Sequence, residues 1–414
     1  MGNFSSMGIK RKKLASRVFW LVSTSLIIIS GGVLFAIKWR ESAERKLELT
    51  KTQTSPIVVT PKPVSASSKM LFMGTTFWGR YIDDWSQKSD LKYAYPFSRL
   101  NEFGRENYDA WIAGLECPTS PRIHMTSAQM EANLQFNCRP EYLPEAAKFF
   151  TIFSLSNNHT DNQGVKGFEE THQELDKHGI QYFGHYDPEQ LDDICEVVAM
   201  PAKIKMSNEK VVEGSLPVAL CGYHGFIKNP SKQSRAVVAK YTQYFPVIAM
   251  PHSGVEYKPA PDTIKNALYR ELIDNGADAV LGDHPHWVQT TEAYKGRLIV
   301  YSMGNFMFDQ QRSAEVTRSA AIALSLELDE ISPTELKTWL DLGETCGKFK
   351  DDCLATAQAK NLIKPSYKFT FGVVGTDNAN KLVKPATEAQ TASILERLRW
   401  SQTIRELESP YFGR

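Results

Sequence analysis

A chain of 414 residues has room for one large α/β domain or two ordinary ones. Hydrophobic residues make up 42% of it and aromatics 11%, as in a globular protein with a sizeable core. Lys+Arg number 48 against 47 Asp+Glu, and this even balance gives no sign of the clustered basic surface that a nucleic-acid partner requires.

After a basic segment (1–17), residues 18–37 read "VFWLVSTSLIIISGGVLFAI". This run carries no charge and is long enough to cross a hydrocarbon core of about 30 Å. Lys10 to Arg17 precede it and Lys38 to Lys51 follow it, so charge counting alone does not orient it. No small-x-small cleavage site closes it, which argues against a cleaved signal peptide. A buried core helix is the blander alternative. The expectation is a single transmembrane helix. Residues 38–68 then form a juxtamembrane segment and a Pro/Ser/Thr linker, and the folded body begins near Lys69.

The six cysteines are Cys117, Cys138, Cys195, Cys221, Cys346 and Cys353. None forms a CxxC, which excludes a zinc ribbon or a thioredoxin motif. An even count behind a membrane anchor suggests disulfides in an oxidising compartment, hence a body outside the cell membrane. Six buried free thiols are the alternative. Pairing between neighbours along the chain (117–138, 195–221, 346–353) is expected.

The body alternates short apolar runs with helical patterns. Strands are predicted at 70–74, 110–116, 150–156, 216–222, 245–252, 278–284 and 298–305, with late strands at 320–329 and 367–374. Helices are predicted at 167–179, with Phe168, His172 and Leu175 on one face, and at 261–276, with Ile264, Leu268 and Leu272 on one face. This is an α/β body over 69–385 with helices outside a central sheet. Residues 330–366 read as an insertion, and 386–414 as a C-terminal helix, amphipathic over 386–408.

Polar residues cluster at the strand ends. They are Glu116, Asn158 with His159, His252 with Glu256, His284 with His286, and Asn305. Each histidine alone is more often ordinary than a ligand. Together, imidazole, carboxylate and amide oxygen suit a divalent ion such as zinc, manganese or iron. Asp161 and Gly164 read as turn-shaping residues.

The stretches "GLE", "NNHTDNQG", "HSGVE", "GDHPH" and "SMGNFMFDQ" resemble, in order, the motifs of the CapA family of bacterial capsule and poly-γ-glutamate synthesis proteins. The resemblance covers residues 70 to about 310. It implies a fold related to the calcineurin-like metallophosphoesterases, a four-layer α/β/β/α sandwich. It also implies an envelope protein acting in synthesis, anchoring or export of an anionic polymer, partnered by that polymer or its synthesis machinery. A metal-dependent hydrolase of phosphoester or related bonds is the second expectation, and a catalytically degenerate binding module the third.

Carried over residue by residue, Glu116 matches the acid that bridges two metals, Asn158 the amide ligand and His159 the catalytic histidine. His252 and His284 match ligands of the first metal, and His286 a ligand of the second. The departure is Thr75, which stands where an aspartate is expected. Asp283 is a candidate to compensate, as are Asp83 and Asp84 well past the strand end, and Glu256 is a candidate to support a ligand histidine.

Overall fold

The computed structural model describes residues 36–45, 60–348 and 352–414. All but the end of the apolar run 18–37 lies outside the described residues. Among the described residues no helix is long and apolar enough to cross a membrane. Residues 36–45 are helical with exposed side chains, and belong to a unit separate from the body, which spans Pro61–Arg414.

The body is mixed α/β, with helices outside one large, continuously hydrogen-bonded set of strands. In chain order the main strands are β1 (Pro63–Thr76), β2 (Ala110–Leu115), β3 (Ile152–Ser154), β4 (Gln181–Phe183), β5 (Cys195–Met206), β6 (Val211–Gly225), β7 (Val247–Ser253), β8 (Ala279–Leu281), β9 (Thr291–Tyr294), β10 (Arg297–Val300), β11 (Asn305–Met307), β12 (Arg318–Leu328) and β13 (Lys368–Asp377). The main helices are α1 (Arg80–Lys88), α2 (Gly164–Lys177), α3 (Thr263–Asp274), α4 (Pro333–Lys348), α5 (Asp352–Ala359) and α6 (Glu388–Leu398).

Strand periodicity explains the packing. Met70, Phe72, Ile112, Ile152, Leu220, Ile248, Leu281 and Val300 point into one shared cluster. Their neighbours Leu71, Met73, Trp111 and Phe153 point the other way, onto Ile82 of α1 and Phe168 and Leu175 of α2. Cys221, Val247, Val280 and Ile299 point onto Leu268 and Leu272 of α3 and Trp339 of α4. Strands buried on both faces read as near-continuous apolar runs, which is why the sequence reveals them.

Pairing is parallel along β1–β2–β3–β4, and a bridge from His185 to Tyr223 carries it on to β6. It stays parallel through β6–β7–β8–β10, and β11 pairs in parallel with β1, where Asn305 faces Thr75. These strands therefore present their carboxyl ends on one side. Antiparallel β5, β12 and β13 complete the assembly.

Three readings of the sequence are corrected. The first strand begins at Pro63, inside the stretch read as linker. Its small residues pair with β5 and β12, and Ala66 and Ser68 are buried. The C-terminal helix stops at Leu398, because Arg399 takes a left-handed conformation (φ 54°) before short turns and a last strand at Tyr411–Gly413. On α3, Ile264 is exposed, and the buried stripe is Lys265, Leu268, Tyr269, Leu272 and Ile273. The insertion 330–366 is built from α4 and α5. Gly343 of α4 sits so close to β6 that a Cβ there would lie 2.2 Å from the Ser215 carbonyl oxygen. All three expected disulfides are present, namely Cys117–Cys138, Cys195–Cys221 and Cys346–Cys353.

Candidate functional site

The shared strand direction brings the predicted residues together. Glu116 follows β2, Asn158 and His159 follow β3, His252 ends β7, Asp283 to His286 follow β8, and Asn305 opens β11. All but Asn158 and His159 are fully buried; those two are partly exposed. The loop after β8 is sharply bent. His284 (φ 91°) and His286 (φ 60°) both adopt positive φ, unusual for side chains of this size.

His252 is the hub. Its Nδ1 lies 2.7 Å from Asp283 Oδ1, and its Nε2 lies 2.8 Å from Asn158 Oδ1 and 3.0 Å from His284 Nδ1. Glu116 Oε2 is 3.9 Å from the same Nε2, and Glu116 Oε1 is 4.0 Å from His286 Nε2. Glu256 reaches within 3.8 Å of His286 from the more open side.

Three amides fix this arrangement. Asn157 Oδ1 accepts from the His159 backbone N–H at 2.8 Å, which leaves its Nδ2 to donate to Glu116 Oε2 at 2.8 Å. Asn162 Oδ1 accepts from the Phe136 N–H at 2.8 Å and faces His159 Nδ1 at 2.9 Å, so that ring nitrogen must donate and Nε2 carries the lone pair. Asn305 Nδ2 donates to the Val316 carbonyl, which turns its Oδ1 toward His286 Nδ1 at 2.7 Å. Asp283 does the same for His252, because a carboxylate can only accept. The Nε2 lone pairs of His252 and His286 thus face Glu116.

Sequence reasoning missed Asn157, Asn162 and Arg80. The first two stand within "NNHTDN", but nothing there separates Asn157, which holds the carboxylate, from Asn158, which meets the imidazole. Arg80 is buried against Phe77, Phe136 and Phe308 and forks onto Asp309 at 2.9 and 2.6 Å. Asp309 is thereby committed to Arg80. Thr75 lies where β1 meets β11, and its buried hydroxyl stands near the Asp283 carboxylate without a well-formed hydrogen bond. A Cβ on Gly114 would come 2.5 Å from Asp283 Oδ2, so this glycine leaves room for that carboxylate. Asp161 is exposed, and its carbonyl accepts from the Gly164 N–H at the turn into α2.

Burial dominates the electrostatics. It pushes the Glu116 carboxyl up to about 8 against the pull of Asn157, and Asp283 up to about 7 against that of Lys265. It lowers His159 and His286 to about 4 and holds His252 and His284 neutral. In metal-free protein the raised carboxyls make the folded state bind more protons than the unfolded one between pH ~4 and ~8, so their contribution to stability falls as pH rises through that window. The lowered histidines act in the opposite sense below their ordinary value near 6.5. Between that value and about pH 7 the carboxyls prevail; above about pH 7 Lys265, whose amine burial lowers to about 7, offsets them. The thermal midpoint in chelator is expected to fall between pH ~6.5 and ~7, and Glu116→Gln to flatten the fall. A flat profile for the unaltered chain would contradict these protonation states.

The sequence model described as "Bacterial capsule synthesis protein PGA_cap" matches residues 69–310. The chain belongs to this family. The PGA_cap match encloses every residue of the cluster. Relatives include the PGA biosynthesis protein CapA of Bacillus subtilis (strain 168), 26% identical over 73% of this chain and 74% of that protein. The capsule biosynthesis protein CapA of Bacillus anthracis is 23% identical over 73% of this chain and 71% of that one. The crystal structure of TT1561 from Thermus thermophilus aligns over 61% of this chain and 93% of that one at 8% identity, with a TM-score of 0.32, too loose a likeness to assign a fold.

Among the described residues no three His, Cys, Asp or Glu side chains form a finished metal cage. The reason is local. His252 and His284 touch each other, and an amide supplies one of the converging atoms. The donor chemistry nevertheless fits a cation. With Nδ1 donating to Asp283, His252 Nε2 has only a lone pair; Asn157 Nδ2 lies 3.1 Å from it, and the acceptor Asn158 Oδ1 also stands against it at 2.8 Å. His284 Nε2 is buried with no partner. Nitrogens sharing a tetrahedral ion lie roughly 3.3 Å apart, so the 3.0 Å contact needs only a small ring rotation.

Proposed function

We propose that this protein acts in the synthesis, anchoring or export of an anionic capsule polymer of the poly-γ-glutamate kind, held at the cell membrane by residues 18–37 with its body outside. One observation carries the reading. The relatives named for PGA and capsule biosynthesis cover most of the body, including the buried cluster. The uncharged run supports the anchor, and the three disulfides support an oxidising compartment. The two outer apolar clusters flanking a shared inner one support a four-layer α/β/β/α sandwich of metallophosphoesterase type.

The cluster is read as a divalent-metal site held by Glu116, Asn158, His252 and His284, with His286 and Asp283 beside it. An ion there would acidify a bound water and polarise a phosphoryl or carbonyl oxygen. Glu116 is held by Asn157 between His252 and His286. His159, neutral and with its Nδ1–H committed to Asn162, presents Nε2 to accept a proton before it can donate one. This geometry favours hydrolysis of a phosphoester or related bond as the chemistry within the polymer role.

The test is complementation. Cells lacking the gene should lose surface polymer and regain it with the unaltered chain, but not with Glu116→Gln. Polymer unaffected by the deletion would end the reading. Protease added to intact cells should remove the body; a protected body would overturn its placement. Purified chain assayed with zinc or manganese on simple phosphodiesters separates the hydrolase from a binding module, since only the hydrolase turns them over and loses activity in Glu116→Gln.

A further inference from the structure

On the more open side of the cluster, next to Glu256, flat groups are stacked. The Tyr257 ring lies against the His286 imidazole, with 5.4 Å between centroids and 18° between planes. The Arg312 guanidinium lies 4.0 Å over the same Tyr257 ring and close to its hydroxyl. Tyr257 is pinned at both ends. Its backbone N–H donates to the carbonyl of Pro285, between the two loop histidines, at 2.9 Å. Its hydroxyl accepts from Gln310 Nε2 at 2.8 Å. The stack thus fixes a cation beside the cluster, on the His286 side.

Arg312 is exposed, in the loop between β11 and β12, and makes no ion pair among the described residues. Its charge acts on the nearby Glu256 carboxyl, but the two do not pair. A guanidinium lying on an aromatic face keeps the N–H groups of its edge for other partners. Held flat in this way, it loses less freedom when a ligand arrives than a loose side chain would. Its fork fits the two oxygens of a carboxylate or a phosphodiester. Arg80, the other arginine near the cluster, has nothing left to offer, because its N–H groups are spent on Asp309 and Glu131. Lys258, one residue past Tyr257, is an exposed cation that no ring or carboxylate holds among the described residues.

We propose that Arg312, stacked on Tyr257, is the substrate clamp of this site: its fork takes a carboxylate or phosphodiester group that neighbours the reacting bond, and so sets which way the substrate lies. The charged neighbour then rests on the His286 side of the cluster. The clamp rests on the reading of the cluster as the place where substrate reacts. It selects substrates that carry an anion beside the reacting bond over neutral ones of the same shape.

The test is calorimetric titration of the full-length chain in chelator, so that no metal ion contributes. The probes are a γ-linked glutamate trimer, the same trimer with its carboxylates converted to amides, and glycerophosphoglycerol. Saturable binding of the glutamate trimer alone makes the anion a carboxylate, and of glycerophosphoglycerol alone a phosphodiester. The amidated trimer should bind at least about tenfold more weakly than the acid wherever the acid binds. Arg312→Gln should weaken the bound anion by at least about tenfold, and Arg312→Lys, which keeps the charge but not the fork, by at least about threefold. Tyr257→Leu should weaken it too, because the platform is gone. Lys258→Gln should cost less than about threefold, since a loose surface charge contributes little. No saturable binding of either anion up to about 10 mM, equal affinity for acid and amide, an unchanged Arg312→Gln, or a Lys258→Gln loss as large as that of Arg312→Gln would each overturn the proposal. Anion binding of this kind without phosphodiester hydrolysis would remove the hydrolase and leave the clamp. Hydrolysis with no such binding would remove the clamp alone.

Discussion

His252→Ala should abolish tight metal binding, taking the purified chain from about one ion to none. Losing a group that merely orients a ligand already costs ~10–100-fold in affinity, so losing a ligand should cost at least the upper end of that range. The structure makes His252 the worst of the set to lose. It contacts Asn158, His284 and Asp283 at once, at 2.8, 3.0 and 2.7 Å. Removing it separates the donors and strands a buried carboxylate. His286→Ala should leave the first ion in place, because His286 meets Glu116 and Glu256 from the side away from His252 and its Nδ1 is held by Asn305. Elemental analysis after gel filtration reads both. An unchanged stoichiometry in His252→Ala would move the site elsewhere. Two tightly held ions in the unaltered chain would mean that Asp283 makes good the carboxylate missing at Thr75.

Gly74→Ala should be the most damaging single methyl in the body. A Cβ there would fall 2.0 Å from the Gly304 carbonyl oxygen. That oxygen accepts the Thr75 N–H at 3.2 Å and belongs to the turn joining β10 to β11. Backbone cannot swing aside as a flexible side chain can, so β1 and β11 must part. Overpacking costs ~1–3 kcal/mol as a rule, and a backbone clash belongs at the top of that range. Urea unfolding should show a loss of about 3 kcal/mol. By contrast, Gly372→Ala meets nothing nearer than 3.9 Å and should be almost silent. Equal stability of the two variants would refute the close approach.

The strands that carry the site are legible because each is buried on both faces and ends in a polar residue, as in "AWIAGLE" and "FPVIAMPH". β5 is not. It bears Pro201 and solvent-facing Lys203 and Lys205, so it lacks the apolar run that marks its neighbours. The end of the linker misleads for a related reason: "SASS" looks like spacer until pairing partners distant in sequence bury every second or third residue. In the site itself, residue types at strand ends point to the cluster, but not to which amide holds what. Asn157 and Asn158 are adjacent and alike, and only the His159 N–H assigns the first to Glu116. Arg80 is invisible because its partner Asp309 comes near it only through folding.

The company kept by β1 bears on how the chain reaches its folded form. Ala66 pairs with Ile204 on one edge and with Leu328 on the other, the latter more than half the chain length away. The first strand to leave a ribosome or a translocation pore is therefore among the last to be completed. Until β12 arrives, Leu71 and Phe72 lack a neighbour on one edge, and such an exposed strand invites pairing with another copy. Contacts this distant in sequence close slowly. A nascent chain of this protein should depend on a holding chaperone for longer than its size alone would suggest.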